Sequence, residues 1–253
     1  MAESQPIALI TGAGRGIGRA VAQWLSREGH RVALTSRSET ELKETAGLCP
    51  GETLVLPADI TSTAAIDDVF GAIEQAWGTV AVLVANAGSG EAAPLHRTSD
   101  ELWARMLDLN LTAPFRCIRR AVPAMKENSY GRIVVVASVA AKQGEPYISA
   151  YTASKHGILG VVRSAAAELA NTGVTVNAVC PGYVDTAMTD RTINDIATRT
   201  GRTPEEARAI LESKQPSGRL VTVDEVAAAV WACVSNGAIN GQGINVDSGG
   251  VQS

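Results

Sequence analysis

Short apolar runs alternate with helical patterns from one end of this 253-residue chain to the other. Residues 6–10, 31–35, 53–56, 80–84, 132–137, 174–179 and 243–246 read as strands. Several are unbroken Val/Ile/Leu/Ala runs rather than alternating ones, the pattern of strands covered on both faces. Between them, helix starts carry capping-box spacing: Ser38 with Glu41, Thr98 with Glu101, Thr203 with Glu206, and Thr222 with Glu225. Pro204, just after Thr203, suits a first helical position. Strand–helix alternation of this kind predicts an α/β fold, a doubly wound parallel sheet of seven strands with helices on both faces. No linker, repeat or low-complexity block interrupts it, so one domain over 1–253 is expected. Two segments, 102–125 and 150–170, carry apolar or small residues on most faces and read as long helices. A helix apolar all round must be covered all round. Either tight core packing or a second subunit would cover the outer side, and a homo-oligomer (a homotetramer or a homodimer) is the expectation.

Composition narrows the function classes. The chain is 45% hydrophobic, enough for a sizeable core, and its 22 Lys+Arg against 26 Asp+Glu give a net charge of −4. With no long basic run, no nucleic-acid or anionic-membrane role is expected. No segment approaches the roughly 20 apolar residues of a membrane span, and the first ten residues do not read as a signal peptide. Cys49, Cys117, Cys180 and Cys233 are scattered and form no metal-ligand spacing with the three histidines. Free thiols in a reducing cytosol and no metal site are expected.

Three motifs carry chemistry. Tyr151 and Lys155 stand four apart in a segment that reads as helix, so both side chains can converge on one point. A free phenol, with a pKa of about 10, is a poor acid–base at neutral pH. An adjacent ammonium would favour the phenolate and lower that value, letting the pair exchange a proton with an alcohol or carbonyl oxygen. Second, Thr11-Gly12-Ala13-Gly14-Arg15-Gly16-Ile17-Gly18 joins the first strand to the first helix. It fits T-G-x-x-x-G-x-G, not G-x-G-x-x-G. Glycines there would let backbone N–H groups approach a pyrophosphate at a helix N-terminus. Third, the second strand ends in Ser36 and Arg37, where NAD sites commonly carry a carboxylate for the ribose hydroxyls. An arginine there can hold a 2′-phosphate, and Arg15 could be a second clamp, so NADP(H) is expected, with NAD the alternative. Glu39 and Glu41 lie nearby and are assigned to the start of the following helix.

Taken together these features resemble the short-chain dehydrogenase/reductase family over nearly the whole chain. The matching segments are the Thr11–Gly18 loop, Asp59 (with Ile60) after the third strand, Ala85-Asn86-Ala87-Gly88 after the fourth, Asn110 in the long helix, Ser138 after the fifth, Tyr151 with Lys155, and Pro181-Gly182 with Val184 and Thr186 after the sixth. The resemblance implies a Rossmann-type domain and a role for each residue. Tyr151 would be the general acid for carbonyl reduction or the base for alcohol oxidation. Lys155 would tune Tyr151 and hold the nicotinamide ribose. Ser138 would hydrogen-bond the reacting oxygen as it gains negative charge. Asn110 would hold a water linking Lys155 to solvent. Asp59 would face the adenine amine, Asn86 and Gly88 would line the adenosine side, and residues 181–186 would wrap the nicotinamide. Each residue also has a purely structural reading: Ser138 as a strand-end cap, Asn110 as a helix-bending polar residue, Asp59 as a turn residue ahead of a helix cap near Ser62. The chain departs from the family's usual Asn-Asn-Ala-Gly at Ala85, and carries Ser248 inside what is often Asp-Gly-Gly.

The substrate is less legible. Residues 139–148 and 187–218 should form the pocket wall and a mobile lid, with Gln143 and Tyr183 as substrate contacts. Arginines in the second stretch (Arg191, Arg199, Arg202, Arg208) either are solvated or suit a phosphorylated carrier. The wording around 140–144 and 154–157 is similar to β-ketoacyl-thioester and polyketide ketoreductases and to 3-hydroxyacyl-CoA dehydrogenases. A 3-oxoacyl/3-hydroxyacyl thioester on coenzyme A or acyl carrier protein is therefore expected. A secondary-alcohol or cyclic-ketone reductase is the alternative, and a non-catalytic dinucleotide sensor the alternative of another class.

Overall fold

The computed structural model describes residues 5–252. Seven strands form one wholly parallel sheet: β1 (Ile7–Thr11), β2 (Arg31–Ser36), β3 (Thr53–Pro57), β4 (Val82–Ala85), β5 (Gly131–Val136), β6 (Val174–Pro181) and β7 (Gly243–Val246). Their spatial order is β3-β2-β1-β4-β5-β6-β7. The unbroken apolar runs are explained by two-sided burial. Leu9, Ala33, Leu83, Ile133 and Val176 point into one core with helices α3 (Thr63–Ala76), α5 (Ala113–Glu127) and α6 (Ser149–Leu169). Ala8, Ile10, Val32, Leu34, Val82, Val84 and Val134 point the other way, towards α1 (Gly16–Arg27), α2 (Glu39–Gly47) and α9 (Val223–Ser235). A parallel crossover needs a helix on a face, and both faces receive them.

The chain winds outwards in one direction from β1 and in the other from β4. The loops leaving these adjacent strands therefore diverge and open a crevice at their carboxyl ends. All the chemistry-bearing motifs fall along that edge.

Three of the four caps stand where the spacing put them. Ser38 accepts from the Glu41 amide at 3.3 Å, and Thr203–Glu206 and Thr222–Glu225 form full reciprocal boxes. Thr98–Glu101 does not cap a helix. Ser99 caps α4 (Asp100–Leu107) instead, accepting from Leu102 at 3.2 Å. The helix expected over 102–125 is also broken. α4 ends at Leu107, a π-helical turn spans Asp108–Thr112, and α5 follows. Pro114 supplies the cause: it has no N–H to give the Asn110 carbonyl one turn back, so the ladder must widen there.

Beyond β6, α7 (Ala187–Thr200) and α8 (Pro204–Ser213) form a helical hairpin on a small core of its own, Ile193, Ala207, Leu211 and Leu220. A parallel bridge between Val184 and Val221 closes its base.

Candidate active site

The glycine loop is held open by side chains from three directions. The Thr11 hydroxyl accepts the backbone N–H groups of Asn86 and Ala87, both at 3.0 Å. The Asn86 amide nitrogen donates to the carbonyls of Thr11 at 2.9 Å and Gly12 at 3.2 Å. Arg19 and Thr45 clasp the outer side, through the carbonyls of Gly14 and Ala13. Gly12 has φ +65, and a Cβ on Gly18 would overlap the Gly12 carbonyl oxygen, so neither position admits a side chain. Gly14 backs onto Ser36 and Glu41, and Gly16 faces Thr186, which caps α7. Ile17 sits in the first turn of α1 and packs against the core behind the loop.

At the end of β2, Ser36 is half-buried and Arg37 exposed. Asp59 accepts from the Thr61 amide at 3.0 Å and hydroxyl at 2.8 Å. Those bonds, then the nearby Arg37 charge, hold its carboxyl below the usual range. Asp59 thus is a turn residue, as its structural reading allowed, and Ile60 beside it is buried. Glu41 does not serve the helix start with its side chain, only with its backbone N–H; its carboxylate pairs with Arg15 at 3.3 Å. Glu39 pairs with Lys43. Such exposed pairs are worth little, so Arg15 remains available to a stronger anion.

The reacting end is built on β5, β6 and α6. Ser138 lies two residues past the end of β5, accepts from the Ala140 amide at 3.1 Å, and hydrogen-bonds the Tyr151 phenol. Lys155, only 5% exposed, donates to the Val136 carbonyl at 3.1 Å and sits 5.6 Å from the centre of the Tyr151 ring. Helical spacing thus brings the pair together with Ser138, as the motif predicts. The electrostatics differ from the expectation. Burial pushes the Tyr151 phenol up rather than down, with the Ser138 bond pulling only partly against it. Burial also drives Lys155 down to about 8. The desolvation cost outweighs the Coulombic help that spacing alone suggested.

Asn110, 2% exposed, lies in the π-helical turn. Its amide nitrogen donates to the Ser89 and Met106 carbonyls and its oxygen accepts from the Ser89 amide. Its side chain therefore pins the strand-end loop after β4. A Cβ on Gly88 would lie 2.7 Å from the Asn110 oxygen and 3.6 Å from Lys155 Nζ. That places Gly88 at the reacting end rather than along the adenosine side. Asn86 likewise turns its amide inward, to the loop, and Ala87 follows it against the core. Ala85 takes a buried place in β4 opposite Val135, where the family's usual amide is replaced by a methyl group.

Pro181 ends β6, Gly182 donates to the Val246 carbonyl at 3.0 Å, and Val184 is buried at the base of the α7–α8 hairpin. A Cβ on Gly182 would overlap the Gln215 side-chain oxygen, so Gln215 would have to shift to admit a side chain there. Gln143 is exposed on the wall loop. Tyr183 donates to Glu145 at 2.8 Å and receives a bond from Lys214 at 3.4 Å. Reading the sequence missed Arg19, Thr45, Ser89, Glu145 and Gln215. None carries a motif: each earns its place through a partner 21 or more residues away in the chain.

The residues fit a dinucleotide. The loop backbone has no side chain in its path at Gly12, Gly14, Gly16 or Gly18, the N-terminus of α1 opens directly behind it, and a hydroxyl, a phenol and an ammonium gather at the far end of the same crevice. Among the described residues no group of His, Cys, Asp or Glu could hold a metal, the four cysteines are free, and no helix is long and apolar enough to cross a membrane.

Comparison with known proteins agrees with this geometry. The family profile for short chain dehydrogenases matches residues 6–197. D-beta-hydroxybutyrate dehydrogenase of Rhizobium meliloti is 36% identical over 96% of this chain and 97% of its own. The 3-oxoacyl-(acyl-carrier-protein) reductase MabA of Mycobacterium tuberculosis is 38% identical over 95% of this chain and 91% of its own. A crystal structure of an actinorhodin polyketide ketoreductase variant with NADPH superposes with a TM-score of 0.94 at 36% identity, covering 98% of each chain.

Proposed function

Because this chain belongs to the short-chain dehydrogenase family, we propose that it is an NADP(H)-dependent oxidoreductase that interconverts a 3-oxoacyl thioester and its 3-hydroxyacyl counterpart, with Tyr151 as general acid and base. The observation that carries the reading is the meeting of Ser138, Tyr151 and Lys155 at the carboxyl edge of the sheet, in the same crevice as the glycine loop.

The bound cofactor supplies or accepts the hydride; the protein's part is position, proton and field. Backbone N–H groups of residues 12–18 and the α1 N-terminus hold the pyrophosphate. Arg37 and Arg15 meet the 2′-phosphate as charged donors. Asp59 and Ile60 line the adenine end, and residues Pro181, Gly182, Val184 and Thr186 the nicotinamide end. Ser138 donates a hydrogen bond to the substrate oxygen, and Tyr151 transfers the proton to it. Lys155, still mostly charged near pH 7, binds the ribose hydroxyls and favours the phenolate once the proton has left. Asn110 fixes the loop against which Lys155 is held. The α7–α8 hairpin, 187–218, closes over the substrate, and Gln143 and Tyr183 lie on its wall.

A ketoacyl thioester is favoured over a free ketone by the likeness to MabA and to the polyketide ketoreductase. Carrier choice between coenzyme A and acyl carrier protein is left to the hairpin surface. The free, mostly buried thiols suit a reducing cytosol.

NADPH consumption with acetoacetyl-CoA and with simple secondary and cyclic ketones tests the reading. The thioester should be reduced with the higher kcat/KM, and Tyr151→Phe should lose more than nine-tenths of the rate while still binding NADPH. Equal use of free ketones would overturn the substrate assignment, and an active Tyr151→Phe enzyme the chemistry.

A further inference from the structure

The wall loop and the lid meet at one charged contact beside the reacting phenol. Glu145 lies between Ser138 and Tyr151 in the chain, on the loop that forms the pocket wall. Its carboxylate accepts the Tyr183 phenol at 2.8 Å and sits 3.9 Å from Lys214, the residue that caps α8. Lys214 also donates to the Tyr183 oxygen at 3.4 Å and lies 5.5 Å from the centre of its ring. The charges are not equivalent. The Glu145 side chain is 25% exposed and the Lys214 side chain 48%. The anion is therefore the inner member and the better-solvated cation the outer one. Burial is the main cause that pushes the Tyr151 phenol up, and the Glu145 charge adds to it as a smaller one. Elsewhere on the hairpin and the rim, Arg208 pairs with Asp185 and Glu212, and Arg105 with Glu91.

We propose that Glu145, shielded from outside by Lys214 and held by Tyr183, is the specificity-determining residue that excludes free 3-oxo acids and admits their uncharged esters and thioesters. The inference rests on the ketone–alcohol reading above and deepens it. A 3-oxo acid carries its carboxylate two bonds from the reacting carbon. Bound for reaction, that group would stand in the same partly desolvated pocket as Glu145, where like charges repel far more than in bulk water. A thioester presents a neutral carbonyl at the same place and meets no such repulsion. Specificity here comes from a repulsive element against the wrong substrate.

The experiment compares acetoacetate with the uncharged N-acetylcysteamine thioester of acetoacetate in the NADPH-loaded full-length protein. The wild type should favour the thioester. Glu145→Gln keeps the size and a hydrogen-bond acceptor for Tyr183, and should narrow the preference about tenfold by raising kcat/KM for acetoacetate. Lys214→Met should act in the opposite direction, bare the carboxylate and widen the preference. A ratio moved by neither variant, or moved the same way by both, would overturn the proposal while thioester reduction by the wild type still upheld the function. Saturation-transfer NMR of acetoacetate gives a readout that needs no turnover. Glu145→Gln should bind it about tenfold more tightly than the wild type. Equal binding would overturn the inference even in a protein that reduced nothing.

Discussion

Lys155 is the residue whose environment costs most. An ammonium 5% exposed, bonded to the Val136 carbonyl and with its value driven down to about 8, is held charged at neutral pH against its burial. The unfolded chain binds that proton more readily than the folded one between about pH 8 and the ordinary lysine value of 10.5. Stability on this account rises with pH across that window and is lowest below it. Lys155→Met should therefore raise the melting temperature at pH 7, by an amount corresponding to about 3 kcal/mol. The advantage should fade as pH climbs from 8 to 10.5, and activity should be lost throughout. Thermal melts of both proteins from about pH 7 to about pH 10.5 check the sign. Arg37 makes a second prediction at this scale. Arg37→Asp would place a carboxylate beside Asp59 and opposite any 2′-phosphate, so the preference for NADPH over NADH should fall by tenfold or more, read as the ratio of kcat/KM values. The identities of Tyr151, Lys155 and Ser138 were legible because helical spacing and strand-end position are local. The balance of their proton affinities was not, because desolvation is set by elements distant in the chain.

At the scale of elements, the glycine loop is stiff because β4 holds it. Asn86 gives two bonds to loop carbonyls and Thr11 takes two from the strand end. Asn86→Ala removes the first two and strands buried carbonyls, at a cost of about 1–3 kcal/mol. NADPH affinity should drop about tenfold with the sheet intact, since the loop must then be ordered by the ligand. Fluorescence titration and far-UV circular dichroism together check this outcome. Strand and helix order could be read from the apolar runs because two-sided burial leaves so plain a pattern. Helix boundaries could not always be. Ser99 displaced Thr98 as a cap, and the π-helical turn at Asp108–Thr112 has only Pro114 to announce it. The contacts of Asn86, Asn110 and Glu145 lay beyond any local pattern: each joins segments 21 or more residues apart in the chain.

On the scale of the whole molecule, the outer faces of α4 and α5 ask for cover. Trp103 and Phe115 are each 42% exposed. Large aromatic rings outside the core commonly mark a contact with another chain. A homotetramer is expected by light scattering. Phe115→Glu should dissociate it to smaller species without unfolding the subunit, because the ring takes no part in either of the two main cores.

The fastening of the glycine loop to β4 also bears on the order of assembly during synthesis. Thr11 and Asn86 are 75 residues apart in the chain. Until the fourth strand has left the ribosome and zipped onto the first, the anion cradle has no far wall. A nascent chain that stops at α3 has every glycine of the motif and still no competent grip on a nucleotide. Nucleotide capture is thereby postponed until the central strands have joined, and the ligand can reward only chains that have already found that pairing.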